Sequence, residues 1–414
     1  MILHLNTSQW EGGAGVAASR LNRALQKNGV DSHLLVHRIQ KPEPGVTAYA
    51  QGFWGDKRFW ARFVAERLSF LPYEKDKSVR FAFSPATVGV PIEKHPLVRQ
   101  ASIIHLHWIN FGFISLAGLD RLFRLGKPVV WTLHDMWAFT GGCHYSRGCD
   151  HFMSHCQYCP YLARPHSRDI SFSGFEKKKE LFAHAPVTFV TPSRWLCQLT
   201  QEAALTRHLP ARTIPNPLDT SVFAPRPKAE VRTRAGLPPD KKLVLFTGAN
   251  TQDPRKGFLF FKEAINALSV HHQDIEVLVF GKSQAGAYQE IAVPVHDLGT
   301  LSSQEQIVEA YAAADVLVVS SLEDNLPNTV MEAMACATPV VGFANGGIPE
   351  MIDHQHNGYL ADYRSAASLT EGIDWVLAHN QAGQLSANAR QKVLDTYAEK
   401  VVAEQYSQLY QSLL

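Results

Sequence analysis

No stretch of this 414-residue chain approaches the uninterrupted apolar length of a membrane-spanning helix, which excludes an integral membrane protein built on such helices. The opening Met1-Ile2-Leu3-His4-Leu5-Asn6 is strand-like and lacks the basic and apolar regions of a secretory leader, so a cytoplasmic location is expected. There is no internal repeat and no low-complexity tract. Charged residues make up only 19% of the chain against 45% hydrophobic, the balance of a soluble globular protein, and the length suffices for two domains that each bury a core. Cysteine is scarce. Of six, Cys197 and Cys336 are isolated, while Cys143, Cys149, Cys156 and Cys159 crowd together with five, six and two residues between them. In a cytoplasmic chain such a cluster points to a metal more than to disulfides. The Cys156–Cys159 spacing is familiar from zinc ligands, so a structural zinc on four thiolates stands beside the simpler reading of a loop of reduced thiols.

The net charge of +2 hides an asymmetry. Residues 1–215 hold 26 Lys and Arg against 15 Asp and Glu, whereas residues 216–414 hold 14 against 23. A basic first half suits an anionic partner, whether a membrane surface, a phosphorylated lipid or nucleic acid; ordinary solubility charge is the alternative. Residues 53–68 add bulky aromatics interleaved with Lys57, Arg58, Arg62 and Arg67 at partly helical spacing. Such a segment either lies on an anionic membrane or packs its aromatics into the first domain; Lys177-Lys178-Lys179 adds to either.

Strand-like and helix-like runs alternate along the chain. Ile2–Asn6, Ser32–His37, Ile103–His107, Val129–His134 and Val187–Thr191 read as strands of one doubly wound parallel sheet. The two prolines of Ile214-Pro215-Asn216-Pro217 then interrupt regular structure. Leu243–Gly248, Glu276–Gly281, Val316–Ser320 and Val340–Phe343 form a second set, and Tyr397–Leu414 has helical spacing. The expected domains are residues 1–215 and 216–396.

Chemistry gathers at four places. Gly12 and Gly13 stand in a glycine-rich segment between the first strand and the first helix, where backbone N–H groups can approach a ligand closely. Gly13–Ala18 matches Gly-x-Gly-x-x-Ala, but the second strand ends Val36-His37-Arg38 without the acid that a dinucleotide ribose requires. Asp253-Pro254-Arg255-Lys256-Gly257 offers two cations on a loop after a strand, suited to a diphosphate, although such a pair can be mere solvated surface. His107 and His134 stand at strand ends, where α/β proteins bind ligands in the crevice and where a lone histidine can also be structural. In Asp324-Asn325-Leu326-Pro327-Asn328-Thr329-Val330-Met331-Glu332, finally, two carboxylates bracket a turn that opens a helix. They can accept hydrogen bonds from sugar hydroxyls; singly, Asp324 is also a helix cap and Glu332 a first-turn acid.

This last motif, continuing Glu332-Ala333-Met334-Ala335 and Thr338-Pro339-Val340-Val341, resembles that of the retaining GT-B glycosyltransferases of family 4. Asp324 stands where that family usually has Glu, and Ala249 where it has an Arg, with Lys256-Gly257 matching directly and Arg255 substituting for the missing cation. The resemblance implies two Rossmann-like domains facing a cleft, with the last helix, 397–414, packing back on the first. It assigns His134, Asp324 and Lys256 to catalysis, with His134 near the reacting carbon. Gly12, Gly13, Arg255, Lys256, Asp324, Asn325, Asn328, Thr329 and Glu332 would hold the donor, Glu332 at its ribose, and His107 would lie on the acceptor side. The donor would be a nucleotide-diphospho-sugar, UDP or GDP, and the acceptor a saccharide or lipid-linked saccharide of a bacterial surface polysaccharide, with no nucleic acid involved.

No Asp-x-Asp occurs, so the metal-binding motif of the other main glycosyltransferase architecture is missing and no catalytic cofactor is expected. Leaving-group charge would instead meet Lys256, Arg255 and helix N-termini. Two further readings stay open: a non-hydrolysing sugar-nucleotide epimerase of the same fold, and an inactive sugar-nucleotide-binding protein.

Overall fold

The computed structural model describes residues 1–414 except Gln51, Gln252 and Ala285. It divides into two compact units, Met1–Pro215 with Val402–Leu414, and Asn216–Val401. The strands of the first are β1 (Ile2–Ser8), β2 (Ser32–Arg38), β3 (Val46–Ala48), β4 (Ile103–Leu106), β5 (Val129–Thr132), β6 (Val187–Thr191) and β7 (Ala211–Thr213). They form one parallel sheet in the order β3-β2-β1-β4-β5-β6-β7. Its order reverses between β1 and β4.

Two-residue alternation sorts this sheet into unlike faces. Leu3, Leu5, Ile104, Leu106, Val129, Trp131 and Leu133 enter one large apolar core. The intervening Ile2, Ile103, Val130 and Val190 pack against Val402, Ala403, Tyr406, Leu409 and Tyr410 of the final helix, Glu399–Gln411. Sequence pattern extends the packing segment to Tyr397, whereas Tyr397–Val401 stays with the second unit. There Tyr397 lies in an apolar cluster with Leu218, whose N–H donates to the Tyr397 carbonyl at 2.8 Å.

The second unit carries β8 (Lys242–Asn250), β9 (Ile275–Lys282), β10 (Val295–Asp297), β11 (Val316–Val319), β12 (Val340–Phe343) and β13 (Gly358–Ala361). All are parallel, in the order β10-β9-β8-β11-β12-β13. The reversal here falls between β8 and β11, with Val244 opposite Val316 and Phe246 opposite Val318. Apolar clusters form around Leu245, Leu317 and Met334 and around Val244, Val316 and Ile373. The Val-rich β11 and β12 are buried throughout, as strands covered on both faces must be.

Candidate active site

Open α/β sheets bind ligands beyond the strand ends where the strand order reverses. In the second unit the chain leaving β8 carries Lys256 and the chain leaving β11 carries Asp324, so the two strands flanking the reversal supply both groups. The Lys256 Nζ donates to Asp324 Oδ2 at 2.8 Å, and both side chains are only partly exposed, at 27% and 15%.

Backbone constraints hold the pair in register. Gly257 adopts φ +66°, and a Cβ there would stand 2.0 Å from the Ser320 carbonyl oxygen, so glycine alone fits. Ser320 Oγ donates to the carbonyls of Lys256 and Gly257 at 3.0 Å each. From β12, Gly346 at φ +61° would drive a Cβ to 2.1 Å from the Asp324 carbonyl oxygen, and the Gly347 N–H donates to that same oxygen.

Asp324 does not cap the following helix, Asn328–Ala335. The capping position is Pro327, which offers no side-chain cap, and a helix N-terminus is of the kind that receives phosphates and hydroxyls. Inside the helix Glu332 is buried, and Tyr311 Oη donates to its Oε2 at 2.9 Å, fixing the carboxylate's orientation. Asn325 is buried, Thr329 lies in the first turn, and Asn328 Oδ1 accepts from Asn216 Nδ2 at 3.4 Å. Arg255 points to Asp253, at 2.7 Å. Burial works to raise the Asp253 carboxyl, but Arg255 and Lys256 hold it below its ordinary value.

In the first unit Gly12 and Gly13 lie within the first turn of the helix Gly12–Lys27, not in a loop before it. Gly12 takes φ +70° with open space where a Cβ would be, and Glu11 makes no side-chain cap. His107 and His134 lie just past β4 and β5, and His107 Nδ1 meets His134 Nε2 at 3.1 Å. His107 Nε2 in turn meets His4 Nδ1 at 3.0 Å, giving a chain of three imidazoles. On the same sheet face His105 contacts Tyr410 Oη at 2.6 Å and Thr132 Oγ1 at 2.7 Å, and Thr132 meets Tyr406 Oη.

Burial pushes these imidazoles down, His4 to about 3, His134 to about 4 against the opposing pull of Asp135, and His105 and His107 well below the usual histidine value. A neutral imidazole has one N–H and one lone pair, so protonation at one ring dictates the others. If His134 kept its proton on Nε2, His4 would end the chain with a buried N–H on an Nε2 that has no partner. The reverse direction ends it with a lone pair, which costs less to leave unpaired. The chain therefore favours His134 with Nδ1 protonated.

Among the described residues, the candidate ligand atoms of His4, His105 and His107 lie within 4.8 Å of one another. Both nitrogens of His105 and of His107 are already hydrogen-bonded, so this trio is a polar layer of the core rather than a metal site. Beside it Asp135 accepts from His144 Nδ1, Trp108 Nε1 and the Trp137 N–H at 2.7, 2.9 and 2.9 Å.

Sequence reasoning missed Tyr311, His4, His105 and the Tyr406–Tyr410 pair. For the histidines a signal existed: His105 and His107 alternate with Leu106 along a buried strand, so both face one side.

A family model described as Glycosyltransferase Family 4 matches residues 11–222. The chain is a member of glycosyltransferase family 4. A second model, Glycosyl transferases group 1, matches residues 241–379. Among its family relatives is the putative colanic acid biosynthesis glycosyl transferase WcaC of Escherichia coli, 26% identical over 428 residues that span both chains fully. Another is the lipopolysaccharide 1,2-N-acetylglucosaminetransferase of Salmonella typhimurium, 25% identical over 53% of this chain and 60% of that one. Solved structures share the fold. Anabaena HepE in complex with UDP-glucose superposes with a TM-score of 0.66 at 16% identity, covering 99% of each chain. WaaG, a glycosyltransferase involved in lipopolysaccharide biosynthesis, gives 0.61 at 15%, also covering 99% of each. The architecture of this family 4 member is thus GT-B.

Proposed function

We propose that this family 4 enzyme transfers a sugar from a nucleotide-diphospho-sugar to a hydroxyl of a growing, lipid-linked surface polysaccharide, with retention at the anomeric carbon. The observation that carries the donor half is the Lys256–Asp324 pair at the strand-order reversal, with the helix Asn328–Ala335 opening at Pro327 and a Glu332 carboxylate that accepts from Tyr311. Lys256, with Arg255 near it, faces the diphosphate; Asp324 and Asn325 hold the sugar, Asn328 and Thr329 line the helix start, and Glu332 accepts from the ribose hydroxyls. Names among the relatives, colanic acid and lipopolysaccharide biosynthesis, support a polysaccharide acceptor, and the UDP-glucose complex of HepE supports a UDP-sugar donor.

In the proposed step the acceptor oxygen bonds to the anomeric carbon as the bond to the β-phosphate oxygen breaks on the same face. The acceptor proton passes to the departing phosphate. Cationic side chains and helix N–H groups stabilise that charge without a catalytic metal, in keeping with the missing Asp-x-Asp. From the first unit this reading assigns His134, its ring set by His107, to the transferred sugar, and Gly12 and Gly13 leave room at the first helix N-terminus.

A thermal-shift screen of UDP-, GDP- and ADP-sugars tests the donor: one nucleotide class should raise the melting temperature by mass action. Turnover should require an acceptor and give a product of unchanged anomeric configuration by NMR. A product formed from donor alone would replace this reading with the epimerase, and binding without turnover across donors and acceptors with the inactive binder.

The acceptor's lipid also accounts for the helix Gly52–Phe70. It exposes Phe53 (67%), Trp54 (68%), Trp60, Val64 and Leu68, with Lys57 4.3 Å from the Phe53 ring centroid. Among the described residues no helix is long and apolar enough to cross a membrane. This face and the basic charge of residues 1–215 fit peripheral docking on the anionic inner face of a plasma membrane. Co-sedimentation with anionic vesicles, lost in Phe53→Ser/Trp54→Ser and at high salt, is the expected result; absence of binding at low salt would refute it.

A further inference from the structure

The segment Leu133–Asp169 joins the active-site histidine to the helix Ile170–Phe182, and its only helical turns are the 3-10 turns Trp137–Phe139 and His151–Met153. Irregular stretches longer than about 15 residues are uncommon in a compact domain unless something ties them. This one is tied in an unusual way. Cys143, Cys149, Cys156 and Cys159 surround a single cavity of about 290 Å³, counting the part open to solvent, and none is joined in a disulfide. Cys156 and Cys159 are buried.

The surrounding backbone is shaped for this convergence. The Gly141 N–H donates to Cys156 Sγ at 3.1 Å, and a Cβ on Gly141 would meet the Ser171 carbonyl oxygen at 2.3 Å and Cys156 Cβ at 2.9 Å. Gly142, at φ +152°, would drive a Cβ into the Phe83 ring at 2.3 Å. Cys143 is bridged to Phe83 in antiparallel fashion, and the Cys159 N–H donates to Asp169 Oδ2 at 2.9 Å. A buried lysine is also present. Lys178 Nζ donates to the carbonyls of Trp137 and Thr140 and lies 3.6 Å from the Trp137 ring centroid.

We propose that Cys143, Cys149, Cys156 and Cys159 bind one structural Zn²⁺, with Lys178 as a countercharge and the Gly141 N–H as a hydrogen-bond donor to a ligand sulfur. Four thiols surrender their protons to solvent as the ion binds, leaving a tetrathiolate centre of net charge −2 that a buried ammonium and N–H···S bonds stabilise. The sulfurs ring the cavity more loosely than the 4.8 Å spacing of the histidine trio. Binding the ion requires them to close to Zn–S distances of about 2.3 Å. The site braces the catalytic loop through His144, which follows Cys143 directly and donates to Asp135, the neighbour of His134.

Protein purified under reducing conditions without a metal-affinity column should contain about one zinc per chain by mass spectrometry of the metal. Mercurial modification of the thiols should release it, and Cys156→Ser/Cys159→Ser should abolish it. Because that variant can fail to fold, cobalt-substituted wild type supplies a second readout: thiolate-to-cobalt charge transfer with intense tetrahedral d–d bands. Zinc below about a tenth of an equivalent after growth in zinc-supplemented medium would overturn the proposal. So would stoichiometric iron in its place, a disulfide among these cysteines in the intact mass, or a cobalt protein without thiolate bands.

Discussion

Asp324→Asn should move nucleotide binding and sugar transfer in opposite directions. In the free protein Lys256 is engaged by Asp324 at 2.8 Å, so a diphosphate that recruits Lys256 competes with this carboxylate. An exposed pair is worth about 0.2–1 kcal/mol and a hydrogen bond to a charged group about 1.5–3. With the side chains 27% and 15% exposed, solvent screening places this pair between those ranges, at about 1–2 kcal/mol. Removing the competing charge should tighten the nucleoside diphosphate about 5- to 30-fold. Replacing the sugar's charged acceptor with an amide should meanwhile lower kcat/KM for the full donor by about 30-fold or more, a deficit of about 2 kcal/mol. Lys256→Met should weaken both ligands. Calorimetry with the nucleoside diphosphate and with the intact donor, at fixed ionic strength, separates these outcomes. Equal losses for both ligands in Asp324→Asn would make the carboxylate a mere guide for Lys256, and unchanged values would remove it from the site.

Acid should destabilise the first unit. The buried His4, His37 and His134 have folded pKa values near 3, 3 and 4 against 6.5 unfolded, so their contribution is complete above pH 6.5 and is lost as pH falls toward those values. Each adds a slope of about 1.4 kcal/mol per pH unit in that window, and a urea-unfolding midpoint flat from pH 7 to 5 would contradict it. Glu66→Ala should cost about 3–5 kcal/mol in the same assay. That carboxylate is fully buried and accepts from Ser84 Oγ, Thr87 Oγ1 and the N–H groups of Ala86, Thr87 and Val88; a loss below about 1 kcal/mol would refute the assignment. Tyr311→Phe should raise donor KM about 3- to 10-fold with kcat little changed, because it removes one hydrogen bond that orients Glu332 without touching the reacting carbon. A fall in kcat at constant KM would place Glu332 elsewhere.

The strands were legible where burial on both faces makes an unbroken apolar run. Val187–Thr191 and Val340–Phe343 occur as expected, and Ser32–His37 and Val316–Ser320 differ by one residue at the end. The strands β3, β7, β10 and β13 were not expected. Each is a sheet edge of three or four residues, too short for a periodic signal, and the first three carry partly exposed side chains. The helix Gly52–Phe70 shows the limit of periodicity in another way. Aromatics occur around much of its circumference, so spacing alone did not say which would be covered, and the structure leaves Phe53, Trp54 and Trp60 outside while burying Glu66 and Phe70. Glu66 can be buried only because the backbone of residues 84–88 turns its N–H groups toward it, a partner no local pattern announces.

The candidate-site motifs follow strand ends, so local sequence carries both the strand and the turn after it. What orients those side chains is not local. Asp324 is held by Gly346 and Gly347 from the next strand, Glu332 by Tyr311 from the preceding helix, and His134 by His107 and His4 from two other strands. A longer link joins His105 to Tyr410, 305 residues apart. The final helix is therefore more than an apolar cover for β4 and β5. Its two tyrosines supply hydroxyls to the face on which apolar residues near the strand starts give way to polar ones near the site. Without them His105 and Thr132 would be buried polar groups short of partners, at about 1–3 kcal/mol each. The same alternation that builds a dry core at Ile103 and Val130 thus builds, two residues on, the polar layer that leads to His134.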